Sequence, residues 1–280
     1  MKQRVEEFEK RHEYLVCVDS DGCAMDTMDI KHFHCFGPRA VDVFGIESVN
    51  DEFLKIWNEI NLFSMTRGIN RFKGLALSFD IAHEKGLDVP ELAHVKKWTE
   101  ESDELSKPSL QREIEKTGEE ELKLALEWSD RVNQCIEGLS GEDHPFDGVK
   151  EGLAELSKVA DIAIVSSANG EAVYNEWTKH DLAPYVEVML GQEAGSKAYC
   201  ISQLKKHYDS ENQIVMVGDA PGDLVAAQQN GVHYYPIVVG KEAESWERLK
   251  TEAKDKLVND DFDEDYQEQL IKEFKDALSK

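Results

Sequence analysis

The chain has 280 residues, 41% of them hydrophobic, a length and composition typical of a globular protein with one large domain or two. Its formal net charge of −25 argues against nucleic acid and anionic membrane surfaces as partners. The N-terminus is charged and no apolar run is long enough to cross a membrane, so we expect neither a signal peptide nor a membrane span.

The first predicted strand, residues 14–18, leads directly into two carboxylates, Asp19 and Asp21, which are followed by Gly22. Open α/β sheets bind their ligands at the carboxyl ends of strands, which is where this pair would lie. Two carboxylates in such a turn can hold Mg²⁺, and an aspartate there can act as the nucleophile that forms an aspartyl-phosphate. An ordinary acidic turn has the same pattern, so the motif alone leaves both interpretations open.

The segment from about residue 26 to residue 144 has a helical pattern throughout. Apolar residues recur at helical spacing or on amphipathic faces in 51–63, 69–84, 91–104 and 119–137. Within it, Arg67 and Arg71 are four residues apart and would share one helical face if the helix begins early. Their guanidinium groups suit a substrate carboxylate or phosphate, whereas ion pairs with the many acidic residues are the alternative.

Two further predicted strands precede polar residues. The apolar run 161–165 ends at Ser166, followed by Ser167 and Asn169, where a hydroxyl group and free backbone N–H groups can hold a phosphate oxygen. The run 186–190 is followed by Lys197, which would begin a helix. A lysine gains nothing from the dipole at that end of a helix, which is a weak signal of a functional role, although the position taken alone still favours a solvated surface lysine.

A second acidic motif follows the predicted strand 214–217. Asp219 comes just after Gly218, and Asp223 lies at the start of a predicted helix. Helix capping would explain Asp223 but not Asp219. Because parallel strands end at one edge of a sheet, we expect this pair to lie near the first acidic motif.

In this order the four motifs resemble those of the haloacid dehalogenase-like hydrolase superfamily, over residues 12–26 and 145–240. The resemblance implies an α/β fold, with a doubly wound, parallel-sheet, Rossmann-like core and an inserted all-helical cap that closes over the site. It also implies Mg²⁺-dependent phosphoryl transfer through an aspartyl-phosphate. The predicted domains are the core at 1–25 and 145–240, the cap at 26–144 and an acidic helical C-terminal extension at 241–280. We interpret this extension as a solvated appendage that packs on the core through Trp246, Leu249 and Leu257, with partner binding as the alternative.

The resemblance also implies roles for individual residues. Asp19 would be the nucleophile, and Asp21 the general acid and then the base. Ser166 would bind the transferring phosphoryl group, and Lys197 would neutralise the nucleophile and the phosphoryl oxygens. The implied Mg²⁺ ligands are Asp19, Asp21, Asp219 and Asp223. The predicted substrate-binding residues are Ser167, Asn169, Arg67 and Arg71.

Asp21 favours phosphate ester chemistry, because the dehalogenase and phosphonate-cleaving branches of the superfamily lack this acid. We therefore expect a phosphatase acting on a small phosphorylated metabolite. A phosphomutase of the β-phosphoglucomutase type would use the same residues. A non-catalytic phospho-acceptor module, with Asp19 as a switch, is a further alternative, although it would need neither Asp21 nor a cap. Five cysteines at irregular spacing show no metal or disulfide pattern, which predicts reduced thiols and a cytoplasmic protein.

Overall fold

The computed structural model describes residues 3–139 and 143–279, and the chain divides into two compact units. Unit 1 comprises Met1–Thr27 and Asp143–Lys280, and unit 2 comprises Met28–Glu142. Among the described residues, no helix is both long enough and apolar enough to span a membrane.

Unit 1 is built on a parallel sheet whose strand order is β3-β2-β1-β4-β5 in the described residues. The strands are β1 (Tyr14–Val18), β2 (Ala160–Val165), β3 (Val188–Leu190), β4 (Ile214–Gly218) and β5 (His233–Pro236). Apolar clusters cover both faces of the sheet, which is why the strands are near-continuous hydrophobic runs. The sheet, with helices on both faces, confirms the predicted doubly wound α/β fold.

Unit 2 is helical over its described residues. Its α-helices are α1 (Met28–Lys31), α2 (Gly37–Phe44), α3 (Asn50–Asn58), α4 (Arg71–Glu84), α5 (Ala93–Glu101), α6 (Lys107–Thr117) and α7 (Glu120–Gly138). Two π-helical turns, His32–Phe36 and Glu59–Phe63, follow α1 and α3. Large buried side chains such as Phe53, Trp57 and Trp128 form a core that belongs to this unit alone.

A disulfide joins Cys35, in the first π-helical turn, to Cys135 on α7. The prediction that the cysteines are all reduced is therefore wrong for this pair. The two residues are separated by 100 positions, and only the packing of the helices brings their Cα atoms to 5.6 Å. With this pair oxidised, the cysteine pattern no longer supports the prediction of a cytoplasmic protein.

The remaining helices belong to unit 1. They are α8 (Val149–Leu156), α9 (Gly170–Lys179), α10 (Lys197–Leu204), α11 (Pro221–Asn230), α12 (Glu242–Arg248), α13 (Lys254–Val258) and α14 (Glu264–Ala277). A π-helical turn, Leu249–Ala253, connects α12 to α13.

The acidic C-terminal segment contributes apolar side chains to the core of unit 1. Trp246, Leu257 and Leu270 are buried in the cluster that covers one face of the sheet, and Phe274 is buried on the other face. The acidic residues occupy the outward positions of these amphipathic helices, so the high charge is compatible with burial of the opposite face. The expected packing of Trp246, Leu249 and Leu257 on the core is therefore confirmed, and the description of the segment as solvated holds only for its outward, acidic positions.

The helix α14 also covers part of the edge of the sheet that β5 forms. The Gln267 side chain accepts a hydrogen bond from the Tyr234 backbone N–H at 2.8 Å and donates one to the Tyr234 carbonyl at 2.7 Å. A side-chain amide thus takes the place of a neighbouring strand at this position. Exposed sheet edges can pair with other chains, and this contact blocks part of the edge of β5.

Candidate active site

Two acidic motifs meet at the carboxyl end of the sheet because β1 and β4 are adjacent. Val18 pairs with Val217, and the Asp19 N–H donates a hydrogen bond to the Val217 carbonyl at 3.0 Å. Asp219 follows β4 at the same level. Together with Asp223, these residues place three buried carboxylate oxygens within 4.8 Å of one another.

Asp223 reaches the site because Gly218 leaves room for it. A Cβ atom added to Gly218 would lie 2.3 Å from the Asp223 carboxyl carbon, so only glycine allows this approach. The Asp223 Oδ2 atom accepts a hydrogen bond from the Ala220 N–H at 3.1 Å, at the start of α11. Asp223 therefore caps the helix with Oδ2 and faces the acidic cluster with Oδ1. Helix capping and a place in the acidic site, the two roles considered for this residue from the sequence, occur together.

Lys197 brings a positive charge into the acidic cluster. Its Nζ atom lies 2.8 Å from Asp19 Oδ2 and 2.5 Å from Asp223 Oδ1. The residue begins α10, directly after Ser196, whose hydroxyl caps the helix by accepting a hydrogen bond from the Tyr199 N–H. Burial lowers the pKa of Lys197, but the two carboxylates outweigh burial and hold the pKa above its ordinary value.

The carboxylates carry more negative charge than one ammonium group can balance. The pKa of Asp19 is raised to about 7, chiefly by burial and also by nearby Asp223, against the opposing effect of Lys197. The pKa of Asp223 is also raised, chiefly by burial. Buried charges are normally paired or coordinate a metal, and carboxylate oxygens are the ligands that Mg²⁺ prefers. The donor set therefore fits a divalent cation.

The loop after β2 brings Ser166 to the same edge of the sheet. Val18 pairs with Ile164, so Ser166 leaves the sheet close to the level of Asp19. Ser166 is buried, and its Oγ atom accepts a hydrogen bond from the Ala168 N–H at 3.1 Å. Ser167 is exposed.

Asn169 has a structural role at the start of α9. Its Oδ1 atom accepts a hydrogen bond from the Ala172 N–H at 3.1 Å, and its Nδ2 group donates one to Glu193 at 2.7 Å. A Cβ atom on Gly191 would lie only 2.4 Å from the Gly170 Cα atom, so the loops after β2 and β3 are in close contact. The Asn169 side chain therefore helps to position the loop. Its role in substrate binding stays a prediction.

Asp21 lies two residues beyond Asp19 and contacts a residue that the sequence did not single out. The Thr27 hydroxyl group donates a hydrogen bond to Asp21 Oδ1 at 2.5 Å. The Thr27 side chain is buried, and nothing in the sequence around it predicts its contact with Asp21.

Arg67 and Arg71 lie in unit 2, and each guanidinium group is bonded within that unit. The helix α4 begins at Arg71, so Arg67 precedes it and the two do not share a helical face. Arg67 donates a hydrogen bond to the Leu62 carbonyl at 2.8 Å. Arg71 donates to Asn133 at 2.8 Å and lies over the Phe36 ring. Arg67 also lies 4.0 Å from Asp29, an ion pair of the kind that the alternative predicts, and substrate contact by either arginine stays a prediction.

Comparisons with known proteins agree with the fold. Among solved structures, one described as a haloacid dehalogenase-like hydrolase of Bacteroides fragilis has a TM-score of 0.51 and 11% sequence identity, over 84% of this chain and 93% of that chain. Another, described as a beta-phosphoglucomutase of Thermotoga maritima, has a TM-score of 0.50 and 17% identity, over 86% of this chain and 99% of that chain. At these identities the similarity concerns the fold alone. No curated protein sequence matches the chain.

A family model provides the stronger evidence. The model for haloacid dehalogenase-like hydrolases matches residues 89–237, which is more than half of the chain. The match includes Ser166, Lys197, Asp219 and Asp223. The chain therefore belongs to the haloacid dehalogenase-like hydrolase family.

Proposed function

We propose that this protein is a Mg²⁺-dependent phosphatase that hydrolyses a small phosphorylated metabolite through an aspartyl-phosphate on Asp19. The observation that carries the proposal is the contact of the Lys197 ammonium group with both Asp19 and Asp223 inside a buried acidic cluster. Enzymatic phosphoryl transfer depends mainly on positioning and electrostatic stabilisation. A carboxylate nucleophile held beside a buried cation provides both.

In the first step, an Asp19 carboxylate oxygen attacks phosphorus, and the bond from phosphorus to the ester oxygen of the substrate breaks. Asp21 donates a proton to the departing oxygen. In the second step, Asp21 takes a proton from water, whose oxygen attacks phosphorus. The bond to Asp19 breaks, so that inorganic phosphate leaves and both carboxyl groups return to their starting states.

The remaining residues would bind and neutralise charge. Asp19, Asp219 and Asp223, with the backbone carbonyl of Asp21, would hold Mg²⁺, which supplies further stabilisation of charge on the phosphoryl oxygens when bound. The Ser166 hydroxyl group would donate a hydrogen bond to one of these oxygens, while Lys197 neutralises the site.

Unit 2 would act as the cap that selects the substrate. The position of unit 2 in the chain supports this role, because it is a helical unit inserted between the first motif and the second. Arg67 and Arg71 are left out of the proposed phosphate site, because their guanidinium groups bond within unit 2.

Phosphate release from a panel of phosphorylated metabolites tests the proposal, with Mg²⁺ and with chelator. Wild type should release phosphate only with Mg²⁺, and Asp19→Asn should not release it. Asp161→Asn is the matched control, because Asp161 is a buried aspartate at the amino end of β2, where it accepts hydrogen bonds from Tyr208 and His12. We expect this variant to lose stability but to retain turnover.

Each other outcome would contradict the proposal in a different way. Release by Asp19→Asn at the wild-type rate would exclude Asp19 as the nucleophile. An isomerised sugar phosphate in place of free phosphate would indicate the mutase. Stoichiometric Mg²⁺-dependent phosphorylation without turnover would indicate a phospho-acceptor module.

A further inference from the structure

Residues 19–25, here called the nucleophile loop, form a tight turn after β1. The Ser20 carbonyl accepts hydrogen bonds from the Ala24 N–H at 3.0 Å and the Met25 N–H at 2.8 Å. The Gly22 N–H donates to the Met25 carbonyl at 2.8 Å. These bonds give the loop its shape, but they do not by themselves fix it relative to the rest of unit 1.

Two buried tryptophans attach this loop to the surrounding helices. Trp177, on α9, donates its indole N–H to the Ser20 hydroxyl at 2.9 Å. Trp246, on α12, donates its indole N–H to the Cys23 carbonyl at 2.9 Å. Both tryptophan side chains are fully buried. An indole N–H can only donate, and a buried one needs an acceptor, so each contact is directional as well as apolar.

The Trp246 ring is itself held in a fixed position. It packs on α8 at Gly152, where an added Cβ atom would lie 2.7 Å from Trp246 Cε3. A residue with a side chain at 152 would therefore have to displace the indole. The position of the Cys23 carbonyl thus depends on a close contact between α8 and α12, two helices outside the four family motifs.

We propose that Trp246 and Trp177 are positioning residues for the nucleophile loop, which makes the C-terminal segment part of the catalytic unit. The two indole groups hold Ser20 and Cys23, which lie on either side of Asp21, and Ser20 directly follows Asp19. Neither indole contacts a reacting atom. The inference rests on the proposed function for the role of Asp19 and Asp21 in turnover, but its consequence for metal binding does not require turnover.

Trp246→Phe and Trp177→Phe test the proposal, because phenylalanine keeps an aromatic ring and removes the indole N–H. Loss of a group that orients metal ligands typically weakens metal affinity or activity 10- to 100-fold. We expect Mg²⁺ affinity, measured by calorimetry, to fall about tenfold in each variant. With p-nitrophenyl phosphate as the probe, kcat should fall by about tenfold or more while KM changes little, because the loop positions the reacting carboxylates.

Two further variants separate positioning from stability. Tyr208→Phe removes a buried hydroxyl group that donates to Asp161 at 2.6 Å, at the amino end of β2 and away from the nucleophile loop. It should lower Tm and leave Mg²⁺ affinity and kcat at wild-type values. Gly152→Ala keeps the Trp246 indole but forces it to move, and it should reproduce the losses of Trp246→Phe.

The outcomes are distinct. Wild-type Mg²⁺ affinity and kcat in Trp246→Phe and Gly152→Ala, with a fall in Tm like that of Tyr208→Phe, would overturn the proposal. Weakened Mg²⁺ binding in both variants but not in Tyr208→Phe would support it. If the wild-type protein releases no phosphate, the proposed function fails, and the Mg²⁺ affinities alone decide whether the tryptophans position the loop.

Discussion

Replacing Lys197 with methionine should destabilise the protein in the absence of metal. The Lys197 ammonium group contacts Asp19 and Asp223, whose side chains are 8% and 0% exposed. Removing one partner from a buried ion pair costs about 3–5 kcal/mol, because the remaining charge stays buried without compensation. For a protein of this size, that loss corresponds to a fall in Tm of roughly 10 °C.

Thermal and denaturant unfolding in chelator would measure this loss. Lys116→Met is the control, because Lys116 pairs with Glu113 at the surface, where ion pairs contribute little, and its Tm should not change. Added Mg²⁺ should stabilise Lys197→Met more than wild type, since the cation no longer meets the repulsion of an ammonium group. A variant as stable as wild type in chelator would refute the argument that Lys197 balances the buried carboxylates.

Two other substitutions probe particular contacts. Gly218→Ala places a Cβ atom where the Asp223 carboxyl group lies, so we expect it to weaken Mg²⁺ affinity, measured by calorimetry, by about tenfold or more. Gly222→Ala is the control, because the space around its Cβ is open, and it should bind Mg²⁺ with wild-type affinity. Changing Cys35 and Cys135 together to serine should lower the free energy of unfolding by roughly 2–4 kcal/mol, because the bond closes a long loop. Wild type denatured without reductant should titrate three thiols, and five would show that the disulfide is absent.

The acidic end of the sheet could be predicted because the relevant signals are local. Buried parallel strands are continuous apolar runs, so the ends of β1 and β4 could be located from the sequence at Asp19 and Asp219. Parallel strands end at one edge of the sheet, which brings such residues together without knowledge of any side-chain contact. Lys197 was harder to assign, since a lysine at a helix start is only a weak signal until the cluster around it is known.

The expectation that Arg67 and Arg71 share a helical face is wrong for a reason that the sequence contained. It required the helix to begin before Arg67, whereas α4 begins at Arg71. Asn70 caps that helix, and its Oδ1 atom accepts a hydrogen bond from the Phe72 N–H at 3.0 Å. Asparagine is among the preferred residues at this position, so the start of the helix was indicated there. The partners of the two guanidinium groups, in contrast, depend on helix packing.

The C-terminal segment shows why a prediction based on local signals was incomplete. Charge and periodicity described α14 correctly as an acidic helix, but they carry no information about which surface its apolar face meets. Trp246 contacts the Cys23 carbonyl across 223 positions of the chain, and Gln267 contacts the edge of β5 across 33. Both contacts satisfy backbone groups that the motifs and the sheet leave open. A residue of this kind is found by asking which group satisfies each buried carbonyl and N–H near the site, a question that only a three-dimensional structure can answer.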